Sequence, residues 1–350
     1  MVRFSRNKRV VIGLSGGVDS SVAALLLKQK GYSLVGIFLK FGSAQEYKKE
    51  RCCSNESEIR ARAVAQKLEI PFYVIDARKE FKRKVVNYFL NECEKGRTPN
   101  PCVVCNKEIK FSLLFKKAFS FGGSFVATGH YARVKNGRLF MGRDKEKDQS
   151  YFLWQLKSNQ IKHILLPLGD YTKIEVRKLA KRNGLPTADV SESQELCFIA
   201  GKTEDFLKRH LKSQSGDIVL KGNENKVVGR HSGIVFYTIG QRRGLNLPQG
   251  PYYVVEKDVK KNVLIVSNDS KDLMRKEFTA HSLNWLVQPI FPLYCKVKIR
   301  YKSDLVSAKI LSVGRSRVVV SLFIPQRAIT PGQSVVFYKR NEVLGGGIIG

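Results

Sequence analysis

Three stretches of this chain combine residue types that do chemistry on phosphate and on sulfur. The first is Gly13-Leu14-Ser15-Gly16-Gly17-Val18-Asp19-Ser20-Ser21, preceded by the apolar run Val10-Val11-Ile12 and followed by an amphipathic pattern from Val22 to Lys30. Strand, glycine turn and helix start, in that order, aim backbone N–H groups and a positive helix end at one point, where an anion belongs. The glycines permit close backbone approach, and Ser15, Ser20 and Ser21 are expected to add hydroxyl donors. The loop lacks the Lys of a Walker A motif and is not a G-x-G-x-x-G fingerprint. The second stretch runs from Gly96 through Asn100-Pro101-Cys102-Val103-Val104-Cys105 to Phe111. Its prolines predict a stiff loop with Cys105 at the start of a helix, and that helix end with Lys107 and Lys110 nearby favours a thiolate. The Cys102/Cys105 pair is half of a zinc site, but no second C-x-x-C and no paired His supplies the two further ligands. The third stretch is Ser191-Glu192-Ser193-Gln194-Glu195-Leu196-Cys197-Phe198-Ile199. Taken alone, Cys197 between Leu196 and Phe198 reads as a small buried hydrophobe.

These residues need a scaffold, and the patterning describes one. Leu34 to Leu39, Phe72 to Ile75 and Phe125 to Thr128 read as strands. They alternate with helices beginning at Asn55, over Phe81 to Leu90 and over Ile109 to Phe119. The βαβ order predicts a parallel sheet covered on both faces, with ligands beyond the carboxyl ends of its strands. From about Asp205 the texture changes. After one more helix come β-rich runs at Asp217 to Leu220, Ile234 to Tyr237, Tyr252 to Glu256 and Val263 to Val266. Beyond residue 277 a chain of strands with Gly and Pro turns reads as a small barrel or sandwich. The expected organisation is three domains over residues 1–203, 204–274 and 275–350.

The 350 residues carry a formal net charge of +32, which speaks to partners rather than fold and points first to nucleic acid. No apolar run approaches the ~20 residues of a membrane helix. The basic start has no apolar core of a signal peptide, so a cytoplasmic protein without a membrane partner is expected. Seven cysteines, including the adjacent Cys52-Cys53, favour reactive thiols or metal ligation over a disulfide framework in that setting.

The loop Ser15-Gly16-Gly17-Val18-Asp19-Ser20 resembles the pyrophosphate loop of ATP pyrophosphatases. With the two cysteine stretches, Ala127-Thr128-Gly129-His130-Tyr131-Ala132, Lys147-Asp148-Gln149-Ser150, Tyr237-Thr238-Ile239-Gly240-Gln241-Arg242 and Pro331-Gly332-Gln333, the chain resembles the tRNA-specific 2-thiouridylase MnmA family along nearly its whole length. The resemblance implies an α/β + β fold: an adenine nucleotide α-hydrolase-like (PP-loop ATPase) domain, a small central β-rich domain and a C-terminal β-barrel. It implies a tRNA-uridine 2-sulfurtransferase that adenylates the wobble uridine of tRNA at O2 with ATP and Mg²⁺ and then thiolates it. By the same resemblance Gly13, Leu14, Ser15, Gly16, Gly17, Val18, Asp19, Ser20 and Leu39 hold ATP, with Gly129 near the adenosine; Asp19, beside the phosphate loop, is expected to help place Mg²⁺. Asn100, Pro101 and Cys102 face the base, Cys105 is the nucleophile, and Cys197 carries the persulfide. His130, Lys147, Asp148, Gln149, Arg300, Tyr301 and Gln333 match tRNA-contacting positions. A monomer supplied by a cysteine desulfurase or sulfur-relay protein is expected. Cys102 stands where many members have Asp, so two sulfur schemes stay open: free-thiol persulfide chemistry, or a [4Fe–4S] cluster on Cys102, Cys105 and Cys197.

Overall fold

A computed structural model describes residues 8–41, 55–191, 196–199, 201–248, 250–314 and 316–350. Cys52, Cys53 and the polar residues 192–195 lie outside that set. The first unit runs β1 (Arg9–Gly13), α1 (Val18–Gln29), β2 (Ser33–Lys40), α2 (Asn55–Lys67) and β3 (Phe72–Asp76). It continues with helices α3 over 78–94 and α4 over 101–120, then β4 (Phe125–Ala127). The hairpin β5 (Ala132–Lys135) and β6 (Arg138–Met141), strand β7 (Ile164–Leu165) and helix α5 (Lys173–Arg182) complete it. Five strands form a parallel sheet in the order β3-β2-β1-β4-β7. β1 is central, and Val10, Val11 and Ile12 are fully buried because helices cover both faces. Val10 and Ile12 pack with α1, α2 and α5, while Val11 packs with Phe111, Leu114 and Ala118 of α4.

Helix α4 begins at Pro101, eight residues before the expected Ile109, with proline in its first turn. Proline is at home there because its missing N–H has no helical partner to lose. Cys102 and Cys105 therefore stand one turn apart on a helix, not on a loop before it. A π-helical stretch, Asn106–Phe111, follows directly.

After α6 (Thr203–His210) the central unit forms a four-stranded sheet, β10-β11-β8-β9, from β8 (Gly216–Leu220), β9 (Asn223–His231), β10 (Tyr253–Asp258) and β11 (Val263–Ser267). The expected strand at Ile234 is instead a 3-10 turn, Ile234–Phe236, and the polar β9 takes its place beside β8. The last six strands are β12 (Met274–Trp285), β13 (Leu293–Lys298), β14 (Val306–Val313), β15 (Arg317–Arg327), β16 (Ser334–Lys339) and β17 (Glu342–Ile349). They pair in the order β12-β15-β14-β13-β16-β17, and β17 returns to β12, closing a barrel.

The barrel is fastened to the first unit. β6 pairs with β17 at Phe140 and Glu342. Val336, Tyr338 and Val343 join the apolar cluster beneath the parallel sheet. Trp154, fully buried, lies under Gly346, where a Cβ would stand 2.7 Å from its ring. Among the described residues no helix is long and apolar enough to cross a membrane.

Candidate active site

The glycine loop leaves the carboxyl end of β1 and turns into α1, whose N-cap Gly17 makes no side-chain capping bond. The first-turn N–H groups of α1 therefore remain for a ligand. Two glycines are dictated by space. Gly16 has φ +74° and its Cβ would fall 2.1 Å from the Ser57 carbonyl oxygen, and a Cβ on Gly129 would fall 2.7 Å from the Ser20 nitrogen. The β4 loop thus packs directly on the backbone of Asp19 and Ser20. Two of the three serine hydroxyls are engaged within the loop. Ser20 Oγ donates to the Gly17 carbonyl at 3.0 Å and accepts from the Ser15 N–H at 3.1 Å, and Ser21 Oγ donates to the same carbonyl at 3.0 Å. They brace the turn, and Ser15 alone is exposed. Leu14, Val18 and Leu39 send their side chains into the core, so only their backbone faces the cavity side.

The cation missing from the loop comes from elsewhere. Lys173, the first residue of α5 and 8% exposed, donates from Nζ to both carboxylate oxygens of Asp19 at 2.7 and 2.8 Å. Tyr131 OH donates to the same carboxylate at 2.7 Å, with the Lys173 ammonium over its ring. Arg60 Nε donates to the Gly16 carbonyl at 3.1 Å. Sequence reading missed both cations. The box Thr172-x-x-Glu175, whose Thr172 side chain accepts from the Glu175 N–H, marks the helix start at Lys173 but not its neighbour across the fold.

A cavity of about 1630 Å³ opens over the loop and reaches Cys102, Phe152 and Tyr301. The three cysteines do not converge on it. Cys102 lines it, whereas Cys105 is 6% exposed and turned into an apolar cluster with Phe81, Phe89, Ile109 and Phe198. Cys197 packs against that cluster, so residues 105 and 197, far apart in sequence, share one environment. One expectation is corrected here. Burial pushes the Cys105 thiol up to about 11, against the opposing charge of Lys110, so the resting group is a thiol, not a thiolate. Among the described residues no three His, Cys, Asp or Glu side chains are grouped to hold a metal ion, so nothing in this arrangement supports a [4Fe–4S] ligand set on the three cysteines.

The positions matched to tRNA contacts divide into two groups. Lys147 and Tyr301 line the cavity, and Arg300 is exposed. The Tyr301 ring lies 4.4 Å from that of Phe152. The others make contacts within the fold, with Asp148 and Gln149 also on the cavity wall. Asp148, 1% exposed, accepts from the Gly142 N–H at 2.8 Å and from Ser150 Oγ at 2.9 Å, and faces Lys298 of the barrel at 3.8 Å. Gln149 accepts from the Tyr131 N–H at 3.0 Å. Gln333 donates to the Thr98 carbonyl at 2.7 Å, and the Thr98 N–H donates to the Pro331 carbonyl at 2.9 Å, so the barrel holds the segment leading to the cysteine helix. At that segment's end Asn100 is hydrogen-bonded to Tyr151, and Pro101 is buried.

His130 is also interior. Its Nδ1 lies 2.7 Å from Thr128 Oγ1, its ring stacks on Phe111, and burial, with Lys110 nearby, drives its pKa from 6.5 to about 3. Between those values the unfolded chain binds a proton that the folded chain refuses. Stability should therefore be complete above pH 6.5 and be lost as the pH falls toward 3. His130→Gln should flatten the fall in thermal midpoint between about pH 7.5 and 5. An equal fall in both proteins would show that His130 contributes nothing to it.

A parallel α/β domain with an anion loop at its central strand, joined across a cavity to a β-barrel, defines a nucleotide-binding enzyme of the pyrophosphatase-loop class. Family models match in three consecutive pieces: the "tRNA methyl transferase HUP domain" over residues 8–201, the "tRNA methyl transferase PRC-barrel domain" over 204–268 and the "Aminomethyltransferase beta-barrel domain" over 275–349. The chain belongs to the tRNA-specific 2-thiouridylase MnmA family. It is 45% identical over 357 residues to tRNA-specific 2-thiouridylase MnmA 2 of Thermoanaerobacter sp. (strain X514), covering 98% of each chain. It is 43% identical over 365 residues to the MnmA of Coxiella burnetii (strain RSA 493 / Nine Mile phase I), covering 100% of each. Among solved structures, NMN synthetase from Francisella tularensis aligns at TM-score 0.34 and 18% identity over 56% of this chain and 71% of that one, a likeness that carries no argument about function.

Proposed function

We propose that this chain is a tRNA-uridine 2-sulfurtransferase that converts the wobble uridine of tRNA to 2-thiouridine at the expense of ATP. The observation that carries the reading is one cavity floored at one end by the glycine loop with Asp19 and Lys173, and at the other by the helix bearing Cys102 and Cys105. Family membership gives the reaction class. The charge of +32 and the cavity cations Arg133, Arg143, Lys145, Lys147, Lys298 and Lys302 suit a phosphate-rich substrate.

The loop fits an ATP pyrophosphate: uncapped N–H groups, no Cβ at Gly16 or Gly129, and a lysine and an arginine at its rim. Asp19 is the carboxylate that would take Mg²⁺, which supplies charge neutralisation on the phosphates when bound. Lys173 then turns from Asp19 to the phosphates. The uracil O2, a poor leaving group, attacks the α-phosphorus, pyrophosphate leaves, and C2 carries AMP as leaving group. The base reaches the cavity by leaving the anticodon stack, at a cost of a few kcal/mol.

Sulfur comes from a persulfide placed on Cys197 by a donor protein. Either the terminal sulfur attacks C2 and expels AMP, after which Cys105 attacks the Cys197 sulfur, or Cys105 first releases sulfide, which then attacks C2. Both routes end in 2-thiouridine and a Cys105–Cys197 disulfide. Unmodified tRNA incubated with the protein, ATP, Mg²⁺ and a persulfide donor should yield 2-thiouridine in digested nucleosides by mass spectrometry, with one AMP per thiolated base. Absence of both products with a folded protein would refute the reading.

A further inference from the structure

We propose that Cys102 is the resolving thiol of this cycle: it opens the Cys105–Cys197 disulfide and passes the oxidation to an external dithiol. The inference rests on the function proposed above. Three observations carry it.

Cys102 and Cys105 stand at positions i and i+3 of one helix. Such pairs bring their Cβ atoms to roughly 5–6 Å, and small shifts at a first helical turn bring them within bonding reach. The two thiols also face different surroundings. Cys102 is half-buried on the wet cavity, while Cys105 is sealed among aromatic rings. Finally, Cys197 packs on that same apolar cluster but stays half-exposed, so in the disulfide it makes with Cys105 the Cys105 sulfur is the enclosed one. Reduction of a disulfide needs a thiolate to reach one of its sulfurs. The Cys105 sulfur is closed to a bulky reductant by the cluster, and Cys102, one helical turn away on the cavity, is the thiol placed to reach it.

The chemistry balances in two exchanges. The Cys102 thiolate attacks Cys105 Sγ. The bond to Cys197 breaks with its electron pair on Cys197, which leaves as thiolate and takes up the proton Cys102 gave up. No electrons enter. Cys197 is now a thiol, ready for the next persulfide, and the oxidation sits on a Cys102–Cys105 disulfide whose outer sulfur faces water. An external dithiol attacks Cys102 Sγ, Cys105 leaves as thiolate, and the second thiol of the reagent closes its own disulfide. The reagent loses two electrons and the cysteine pair gains two.

The test is disulfide mapping after one turnover. Wild-type protein loaded with persulfide is given ATP, Mg²⁺ and tRNA without reductant, quenched in acid, alkylated and digested. The expected product is a Cys102–Cys105 disulfide with Cys197 alkylated. In Cys102→Ser the disulfide should remain at Cys105–Cys197, and recycling by dithiothreitol should slow by about tenfold or more. Formation of 2-thiouridine with a Cys105–Cys197 disulfide and alkylated Cys102 in the wild type would overturn the relay alone. Absence of both 2-thiouridine and any new disulfide would overturn the relay together with the function it rests on.

Discussion

Serine at position 197 or 105 should cut 2-thiouridine formation to below about one-thousandth of wild type while tRNA-dependent AMP release continues. An oxygen at position 197 forms no persulfide, so no sulfur reaches the base. An oxygen at 105 cannot take the sulfur–sulfur bond from Cys197. ATP chemistry should survive because the proposal places it on Asp19, Lys173 and the glycine loop, and neither cysteine belongs to the set of contacts around them. The two variants should differ in what accumulates. If the persulfide attacks C2 directly, Cys105→Ser stops with tRNA joined to Cys197 through a disulfide, a gel-shifted species that dithiothreitol releases. If sulfide is freed first, no adduct forms. Near-normal thiolation by either folded variant would remove that cysteine from the chemistry.

Lys173→Met should lower the adenylation rate by about 10²–10³, the usual loss when one preorganised charge at a reacting phosphate is removed. It should also weaken the binding of a non-hydrolysable ATP analogue and leave tRNA affinity in place. The reason lies in the resting contacts. Lys173 is nearly enclosed and bonded to both oxygens of Asp19, within the loop that lacks a lysine of its own. An arriving anion offers the ammonium a second partner, and a cation that takes Asp19 frees it to move. Asp19→Asn should show the complementary defect: AMP formation falls, and the loss is not additive with Lys173→Met, because the two side chains act as a unit. Additive losses, or a Lys173→Met protein that adenylates normally, would separate Lys173 from the phosphates.

Much of this was legible in the chain. Val10-Val11-Ile12 before Gly13 specified a buried central strand and the loop after it, because an unbroken apolar run suits only a strand covered on both faces. The strand spacing beyond residue 277 gave a β-rich end, since alternation and Gly/Pro turns are local signals. The family motifs gave the reaction class.

Other features were not local. Pairing of β17 back to β12 closes a barrel where the pattern alone allowed a sandwich, because closure depends on strand tilt and register over 75 residues or so and not on any turn. Lys173 meets Asp19 across 154 residues, a contact created when α5 packs beside α1. The hydrogen bonds that His130, Asp148 and Gln333 make to Thr128, Gly142 and Thr98 were not legible either, because a polar residue type does not state which group elsewhere in the fold it meets. The burial of Cys102 and Cys105 was not legible in the sequence. The start of α4 at Pro101 turned one to the cavity and the other to the aromatic cluster, and that difference in solvent access underlies the different parts proposed for them.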